Sequence, residues 1–519
     1  MPGDMPATRR KRNIFFHADF NLTHLLRLAE RLRRQPCTCD DSQIPKAGAL
    51  NWAIFLEFDD GVEWVFRAPY SSYAASKRVT WRLLASEAAT LKYVREHTSI
   101  PVPEVFHYSS TNENDIGIPY ILMSKATGHP LATLSGSSTL ARVLTEDEKK
   151  KIMRQLGCYA RQLFGLHFPT IGSLFEGEEG YYVDECLSPG HVLQDRDTIE
   201  DMSRGPFHNE ADYYSSLATA LHLHAEQLPM GYHILRAPVP VPQEYPNFAK
   251  YYAATDRWND FAALGGIVDS SMNRLQYCLA SQLLQDSVIP RIVRPVCQSA
   301  SGFPLHHHDI SLQNLFVDDD LNITCIIDWA FSSTVPPAQL LATPGLPHPR
   351  DLVLDLSLNR KTGSCIIESN YWKVGQIVSR FMRLVNLDAL QDYNHLEALC
   401  ALALGPVTPG DDGDDTNSLP AILATRATAH DVLALADELA ADDEPESEIR
   451  RREKEYFDAV GVKRLALARK VAFAAKMNPQ FVADGRLWRW IDTVMEYYDS
   501  AESGEYFEGG LSLKVVDDE

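Results

Sequence analysis

Residues 305–328 constrain the fold of this 519-residue chain more than any other part of the sequence. Two apolar, β-prone runs, Leu315–Val317 and 323–327, flank the turn-forming stretch D-D-D-L-N, and this pattern predicts a β-hairpin. Asp328 ends the second run, and Asn314 precedes the first. The hairpin would therefore bring Asp328 back beside Asn314.

Oxygen-bearing side chains at these positions suit a magnesium ion. Mg²⁺ prefers hard oxygen donors, takes few of them from protein and leaves the other positions to water and phosphate. The Asn314 amide oxygen and the Asp328 carboxylate would suffice, and Asp309 would stay free to accept a proton. Two alternatives are weaker. The consecutive histidines 306–308 lack further Cys or His at zinc-like spacing, and the three turn aspartates lack the glycine and distal glutamate of a calcium loop.

His307, Asp309 and Asn314 stand in the spacing H-x-D-x-x-x-x-N. With Asp328 behind the hairpin, the segment resembles the catalytic core of the aminoglycoside phosphotransferase and choline kinase group, in a fungal-type member. The resemblance implies an α+β, two-lobed protein-kinase-like fold with a small antiparallel-sheet N-lobe, a large helical C-lobe and a helical C-terminal extension. It also implies ATP and Mg²⁺ as cofactors, Asp309 as the catalytic base, His307 as the buried organiser of the catalytic loop, and Asn314 and Asp328 as metal ligands.

Composition narrows the functional classes. The 49 Lys and Arg residues against 70 Asp and Glu residues give a net charge of −21, which argues against nucleic-acid or anionic-membrane binding and is compatible with a cationic substrate. Nine scattered cysteines indicate free thiols in a reducing compartment. No long apolar run or signal-peptide core is present, so we expect a cytoplasmic protein. The basic run at 9–12 is either a mitochondrial or nuclear address or, as we favour, a solvated end.

Four regions are predicted along the chain. They are an N-terminal extension with a short helix at 25–35 (1–45), an N-lobe that covers the nucleotide (46–127), a catalytic C-lobe (128–405), and an acidic loop with a helical extension (406–519).

The predicted N-lobe begins with two aromatic and β-branched runs, 48–58 and 62–69, around a D-D-G turn that indicates a hairpin. A helix is predicted over Lys77–His97 from its apolar spacing. Further strands are predicted at 101–106 and 120–123.

Arg67 and Glu87 are the candidate phosphate-holding pair. In the family pattern a lysine stands at the strand position of Arg67, and a helix glutamate like Glu87 pairs with it. Arginine keeps the charge and can grip phosphate with two nitrogens. The alternatives are an exposed cross-strand charge for Arg67 and a solvated helix glutamate for Glu87.

The other residues predicted to contact the nucleotide are assigned only from their positions in the sequence. Gly48 and Asn51 fall where the resemblance places the nucleotide loop, although the sequence has no G-x-G-x-x-G pattern. Ser124 and Ala126 fall at the hinge between the lobes, where backbone groups would bind adenine.

Several C-terminal features complete the prediction. A capping box at 145–148 opens a helix, and residues 176–204 are charged and turn-rich, as in a lobe insertion. An H-x-H-x-E run at 222–226 is typical of helix or core histidines rather than a metal site. The acidic stretch 410–415 is predicted to be a surface loop rather than a calcium site. Aromatic residues would dock the extension on the large lobe or line a substrate pocket: Trp488, Trp490, Tyr497 and Tyr498.

The sequence thus predicts an ATP- and Mg²⁺-dependent phosphotransferase acting on a hydroxyl of a small molecule. Ser311 stands where protein kinases usually have a lysine, and no A-P-E element is evident, so protein substrates are disfavoured. The alternative is a catalytically weak, pseudokinase-like binding or scaffolding protein, favoured by Arg67, by Ala330 where many relatives carry an acidic residue, and by the poor glycine loop. The acceptor and the oligomeric state stay open.

Overall fold

A computed structural model describes residues 13–48, 50–70, 76–134, 144–231, 233–236, 245, 249–251, 253–254, 268–293, 302–341, 369–387, 392–404 and 419–458. The stretches 9–12 and 410–415 and the aromatic residues from Trp488 to Tyr498, which carried predictions above, lie outside these ranges.

The described helices are numbered in chain order. They are α1 (Leu22–Arg33), α2 (Lys77–His97), α3 (Leu131–Leu134), α4 (Glu146–Phe164), α5 (Pro189–Val192), α6 (Glu210–Gln227), α7 (Ser271–Leu283), α8 (Ile289–Ile292), α9 (Pro337–Leu341), α10 (Ser369–Val385), α11 (Asp392–Leu404), α12 (Leu419–Arg426), α13 (His430–Ala441) and α14 (Glu446–Phe457).

The described strands are numbered in the same way. They are β1 (Cys37–Thr38), β2 (Lys46–Ala47), β3 (Asn51–Phe58), β4 (Glu63–Pro69), β5 (Val105–Ser109), β6 (Tyr120–Ser124), β7 (His129–Pro130), β8 (Ser173–Gly177), β9 (Gly180–Asp184), β10 (Leu305–His306), β11 (Leu315–Val317), β12 (Ile323–Ile326) and β13 (Ser333–Thr334).

An antiparallel sheet forms the N-terminal part, with strand order β1-β3-β4-β6-β5, and β2 also pairs with β3. The predicted β3–β4 hairpin is confirmed, and Gly61 in its turn has a φ of 79°, which glycine adopts without a Cβ penalty. The predicted strand at 101–106 is wrong in position: β5 begins only at Val105. Pro101 and Pro103 explain the shift, because proline has no N–H for the ladder.

The first helix covers one face of this sheet. Leu25 and Ala29 of α1 share an apolar core with Trp52 and Phe66 of β3 and β4. The helix was predicted at 25–35, and the structure corrects both ends. The Asn21 side chain accepts a hydrogen bond from the His24 N–H and starts the helix earlier, while the residue after Arg33 has a left-handed φ and ends it.

Helix α2 lies on the other face and has the predicted bounds. Its Leu84, Ala88 and Leu91 belong to a large apolar core that also contains Leu315 and Trp329 from the region of the sequence motif. The core thus joins the sheet's helix to the segment that carries the candidate catalytic residues.

The predicted hairpin of residues 315–326 is confirmed as β11 and β12, and β7 adds a third strand. Its turn is stabilised by Asp318, whose Oδ1 accepts hydrogen bonds from the backbone N–H groups of Asp320 at 3.1 Å and Asn322 at 2.7 Å. The capping box between Thr145 and Glu148 at the start of α4 is also confirmed.

Residues 173–184, most of which were predicted as part of a turn-rich insertion, form a β8–β9 hairpin that packs on α2. The H-x-H-x-E run lies near the C-terminal end of α6. His222 contacts the Ser281 hydroxyl at 2.9 Å, and His224 accepts a hydrogen bond from Arg196.

The chain forms two compact units. The first contains Met1–His224, Ser281–Asn386 and Leu402–Leu404, and the second contains Ala225–Ala280, Leu387–Ala401 and Gly405–Glu519. The second unit is helical in its described part, and its buried Tyr277 hydroxyl donates to Asp392. The predicted α+β class, with a small antiparallel sheet followed by a mainly helical region, is confirmed. All candidate site residues belong to the first unit.

Candidate active site

The loop between β10 and β11 is organised by His307, whose side chain is buried. Its Nδ1 accepts a hydrogen bond from the Asp309 backbone N–H at 3.1 Å. Nε2 therefore carries the ring proton and donates to the Ile327 carbonyl oxygen at 3.0 Å. Burial lowers the pKa of His307, which keeps the ring neutral. Because both ring nitrogens are engaged by backbone groups, His307 holds the loop in place and does not carry a proton to a substrate.

Asn314 and Asp309 are joined across the same loop. The Asn314 Nδ2 atom donates to the Asp309 carbonyl oxygen and to its Oδ2, both at 3.0 Å. Asp309 Oδ1 is buried and has no hydrogen-bond partner among the described residues. A buried carboxylate oxygen without a partner is costly, so Oδ1 is the atom available to an incoming donor. The Asn314 amide nitrogen faces Asp309, so its amide oxygen is the atom that the predicted metal site would use.

Asp328 stands where the hairpin returns to the loop. The Ile327 N–H donates to the Asn314 carbonyl oxygen at 3.0 Å, one step beyond the Leu315–Ile326 pair, so Asp328 follows directly after the residue bonded to Asn314. Asp328 has a φ of 65°, in the left-handed region that non-glycine residues rarely adopt. Its side chain is 45% exposed, which leaves the carboxylate accessible from solvent.

Arg67 contacts two carboxylates from different elements. Its Nη1 pairs with Glu87 Oε1 on α2, and its Nη2 lies 3.2 Å from Asp328 Oδ1. The predicted meeting of Arg67 with Glu87 is therefore confirmed. The alternatives of an exposed strand charge and a solvated helix glutamate are wrong, because the two side chains are only 14% and 5% exposed. The structure thus brings together β4, α2 and the end of the β11–β12 hairpin.

The charge on Glu87 depends on its neighbours. Burial raises the pKa of the Glu87 carboxyl, and the Asp328 charge raises it as well, whereas the Arg67 charge and the Trp329 backbone N–H lower it. The hydrogen bond from Trp329 is a contact that the sequence analysis missed. A backbone donor has no residue-type signature; the only available signal was the tryptophan that follows Asp328, whose buried indole donates to the Ile326 carbonyl oxygen at 2.9 Å.

An open cleft of about 390 Å³ lies beside the Arg67–Glu87 pair and is also lined by Asn51, Ile121 and Ala330. Gly48 does not belong to its lining, but the Gly48 N–H donates to the Asn51 carbonyl oxygen at 2.8 Å. Of the cofactor-binding residues predicted from position, Asn51 thus lines the cleft and Gly48 lies next to it.

The two predicted hinge residues lie elsewhere. The Ser124 N–H donates to the Glu104 carbonyl oxygen at 2.9 Å, and the Ser124 hydroxyl accepts from the Glu104 N–H, also at 2.9 Å. Ala126 follows β6 and is half-buried. Neither belongs to the lining of the cleft, so their contact with adenine stays a prediction.

A transition-metal site formed by the consecutive histidines gains no support. In the part of the chain that the structure describes, no three His, Cys, Asp or Glu side chains are arranged to hold a metal ion. A site made of one asparagine and one aspartate does not require such a group.

The antiparallel sheet, the helix glutamate that meets a strand cation, and the loop followed by an aspartate-ended hairpin together define the protein-kinase-like phosphotransferases. Residues 42–343, which are 302 of the 519 residues, match the model of the Phosphotransferase enzyme family (APH). The chain belongs to this family, as the resemblance implied.

A subtelomeric hrmA-associated cluster protein of Aspergillus fumigatus, found in two strains, is 28% identical in an alignment of 333 residues that covers 60% of this chain. The chain spans 61% of the length of these curated relatives.

Three solved structures are similar at lower identity. A fructosamine-3-kinase-like protein from Thermobifida fusca is 13% identical, with a TM-score of 0.37 over 74% of this chain and 98% of that one. Macrolide 2′-phosphotransferase MphH from Brachybacterium faecium is 16% identical, with a TM-score of 0.30 over 82% and 99%. A thermostable mutant of aminoglycoside phosphotransferase APH(4)-Ia is 13% identical, with a TM-score of 0.34 over 69% and 91%. The family assignment rests on the sequence match.

Within the described ranges, each helix is too short or too polar to cross a bilayer.

Proposed function

We propose that this protein is an ATP- and Mg²⁺-dependent phosphotransferase that transfers the γ-phosphate to a hydroxyl group of a small molecule. One observation carries the proposal. The Arg67 guanidinium lies between Glu87 and Asp328, beside a loop in which the buried Asp309 Oδ1 has no described partner. Family membership supports the kinase type of reaction.

The donor atoms fit Mg²⁺. The accessible Asp328 carboxylate and the Asn314 amide oxygen are hard ligands on adjacent backbone positions of one hairpin, and Mg²⁺ needs few protein ligands. Mg²⁺ bound with the nucleotide would neutralise negative charge on the phosphates.

Asp309 would act on the acceptor. Its unpartnered Oδ1 would accept the hydrogen bond of the acceptor hydroxyl and take its proton as the hydroxyl oxygen attacks the γ-phosphorus. A bond forms between that oxygen and phosphorus, the bond from phosphorus to the bridging oxygen breaks, and ADP leaves with the bonding electrons. His307 and Asn314 would keep Asp309 in position through their hydrogen bonds to its N–H and carboxylate.

Arg67, held by Glu87, would bind the ATP phosphates, with Gly48 and Asn51 at the nearby edge of the cleft and Ser124 and Ala126 at the adenine. Arginine can supply two parallel donors to phosphate, which suits this position. The net charge of −21 is compatible with a cationic acceptor and argues against nucleic-acid and membrane partners.

We also infer a cytoplasmic location. The described cysteines are free thiols: Cys37, Cys39, Cys158, Cys186, Cys278, Cys325 and Cys400. Thiols without disulfide partners are typical of a reducing compartment.

Nucleotide binding is the first test. Mg-ATP at about 100 times its dissociation constant should stabilise the wild type by about 2.7 kcal/mol in a thermal-shift assay. Asp328→Ala should abolish this stabilisation, and Asp319→Asn, in the exposed turn of the same hairpin, should keep it. No stabilisation of the wild type would contradict the proposal and favour the scaffolding alternative.

Catalysis is the second test. A panel of hydroxyl-bearing metabolites, cationic and neutral, is screened for acceptor-dependent ADP release. Asp309→Asn should lower the rate by about 100-fold or more while Mg-ATP stabilisation is kept, because the nucleotide does not require the base. An Asp309→Asn enzyme with the wild-type rate would remove Asp309 from the mechanism.

A further inference from the structure

One side of α2 is basic and lies against acidic residues of the β8–β9 hairpin and its flank. Arg82 Nη2 lies 2.5 Å from Asp184 Oδ2, and Arg82 also pairs with Glu185 through Nε. Arg78 Nη2 reaches both Glu185 oxygens, at 2.7 and 2.9 Å. The same helix therefore makes several ion pairs with one neighbouring segment.

The ion pairs of Arg82 lie against apolar side chains. The Arg82 guanidinium lies over the Phe175 ring, 4.3 Å from its centroid. Phe175 is buried in a cluster with Val79 and Leu83 of α2 and with Phe331, three residues after Asp328. Because Arg82 is only 28% exposed and Glu185 only 14%, this contact is less screened by water than a surface pair.

The same end of the hairpin is also bonded to the strand beside the catalytic loop. The Gly172 N–H donates to the Thr334 hydroxyl at 2.9 Å, and the Thr334 N–H donates back to the Gly172 carbonyl oxygen at 2.8 Å. Thr334 lies on β13, which pairs with β10, and β10 leads directly into His307. The segment thus contacts both α2 and the frame of the catalytic loop.

The start of α2 is attached to the same part of the chain. The Ser76 N–H, at the N-cap of α2, donates to Asp197 Oδ2 at 2.7 Å. Helix α2 is therefore held at its first residue by Asp197, and along its first turns by Asp184 and Glu185.

We propose that residues 172–197, the α2 anchor, are a positioning device that fixes α2 so that Glu87 stays in contact with Arg67. The proposal rests on the function proposed above. Glu87 lies five residues after Arg82 on a rigid helix, so a shift of α2 moves its carboxylate away from Arg67. Arg82 and Glu185 are positioning residues, because they act on the nucleotide only through α2.

The test compares Arg82→Gln with Arg95→Gln. Arg95 is a matched control, since it also makes an ion pair from α2, at 2.9 Å, but to Glu104 and not to the anchor. Hydrogen exchange is measured in peptides that cover residues 83–92, and ATP affinity is measured by titration. Arg82→Gln should speed this exchange and weaken ATP binding by about three- to ten-fold relative to Arg95→Gln.

Two further variants separate positioning from folding. Glu185→Gln removes the same contact from the other side and should reproduce both effects, and Arg82→Lys, which keeps the charge, should recover part of the affinity. Equal exchange in Arg82→Gln, Glu185→Gln and Arg95→Gln would overturn the proposal. A wild type without ATP binding would overturn the proposed function instead, and the exchange comparison would still decide the role of the anchor.

Discussion

Arg67 joins two carboxylates with one side chain, Glu87 through Nη1 and Asp328 through Nη2. A lysine ammonium has a single nitrogen and could not reach both in this way. In this chain the strand cation therefore contacts the proposed metal ligand as well as the helix glutamate.

Replacing Arg67 tests how much its ion pair with Glu87 contributes to the free energy of unfolding. Arg67→Met leaves Glu87 buried without its cation and should lower the free energy of unfolding by about 3 kcal/mol at neutral pH. Because burial already raises the pKa of Glu87, a protonated Glu87 relieves the penalty, so the loss should shrink as the pH falls toward 4.5 and grow as it rises. Urea denaturation across this range measures the effect.

The companion double variant identifies the cause. Arg67→Met with Glu87→Gln carries no buried charge at residue 87 and should recover more than half of the stability lost in Arg67→Met. Strictly additive losses in the double variant would contradict the account of a paired buried charge.

A second single residue, His191, is expected to make the free energy of unfolding depend on pH under acidic conditions. Burial lowers its pKa to about 3, and Arg204 and Arg196 add to the shift. The unfolded chain takes up this proton near 6.5 and the folded chain does not, so stability is present at neutral pH and falls as the pH drops from 6.5 toward 3. His191→Gln should reduce this fall by up to about 1.4 kcal/mol per pH unit, measured by urea denaturation between pH 7.5 and 5.

The exposed His208 provides the control for this measurement. The slope of stability against pH in His191→Gln is compared with that in His208→Gln, which removes an exposed histidine. His191→Gln with the wild-type slope would show that the network of His191 with the Ser188 and Ser216 hydroxyls does not exclude the proton.

At the scale of elements, the β8–β9 hairpin depends on a close approach at its base. A Cβ on Gly172 would overlap the Asp184 carbonyl oxygen and lie 3.0 Å from the Val183 side chain. Gly172→Ala should therefore lower the free energy of unfolding by about 1–3 kcal/mol. Gly157, in α4, has nothing within 4 Å of such a Cβ, so Gly157→Ala should raise stability by about 0.4–1 kcal/mol. Opposite signs for the two variants are the expected result in chemical denaturation.

Local signals account for the elements that the sequence predicted well. The D-D-G turn, the apolar spacing of α2 and the Thr145–Glu148 capping box each act within a few residues, so their interpretation needed no tertiary information. The hairpin at 173–184 could not be predicted in this way. Its central residues 175–180 read F-E-G-E-E-G, which has the composition of a turn, and the hairpin packs on α2, a contact that local sequence does not reveal.

The features of the candidate site also fall into those that the sequence predicted and those that it could not predict. The roles suggested for Asp309, Asn314 and Asp328 followed from spacing and one predicted hairpin. The contact between Arg67 and Asp328, the Trp329 N–H on Glu87 and the left-handed backbone of Asp328 could not be predicted, because they depend on how distant elements meet.

At the scale of the whole molecule, both compact units are assembled from separate stretches of chain. The first unit combines Met1–His224 with Ser281–Asn386, and one of its apolar cores places Leu84 and Leu156 with Leu315 and Trp329. A fragment of residues 1–224 therefore lacks part of that core and should not unfold cooperatively. Circular dichroism of the fragment and the full chain in urea checks this, and a sharp transition in the fragment would contradict it.

The contact between Arg67 and Asp328 joins residues 261 positions apart. A ribosome that adds roughly 5–20 residues per second needs about 13 to 52 seconds to make that interval of chain. During synthesis, the nascent sheet and α2 can pair Arg67 with Glu87, but the second carboxylate does not yet exist. A nascent chain that ends before residue 328 therefore lacks one of the two proposed metal ligands, and the proposed phosphoryl transfer would have to wait until that residue has been added.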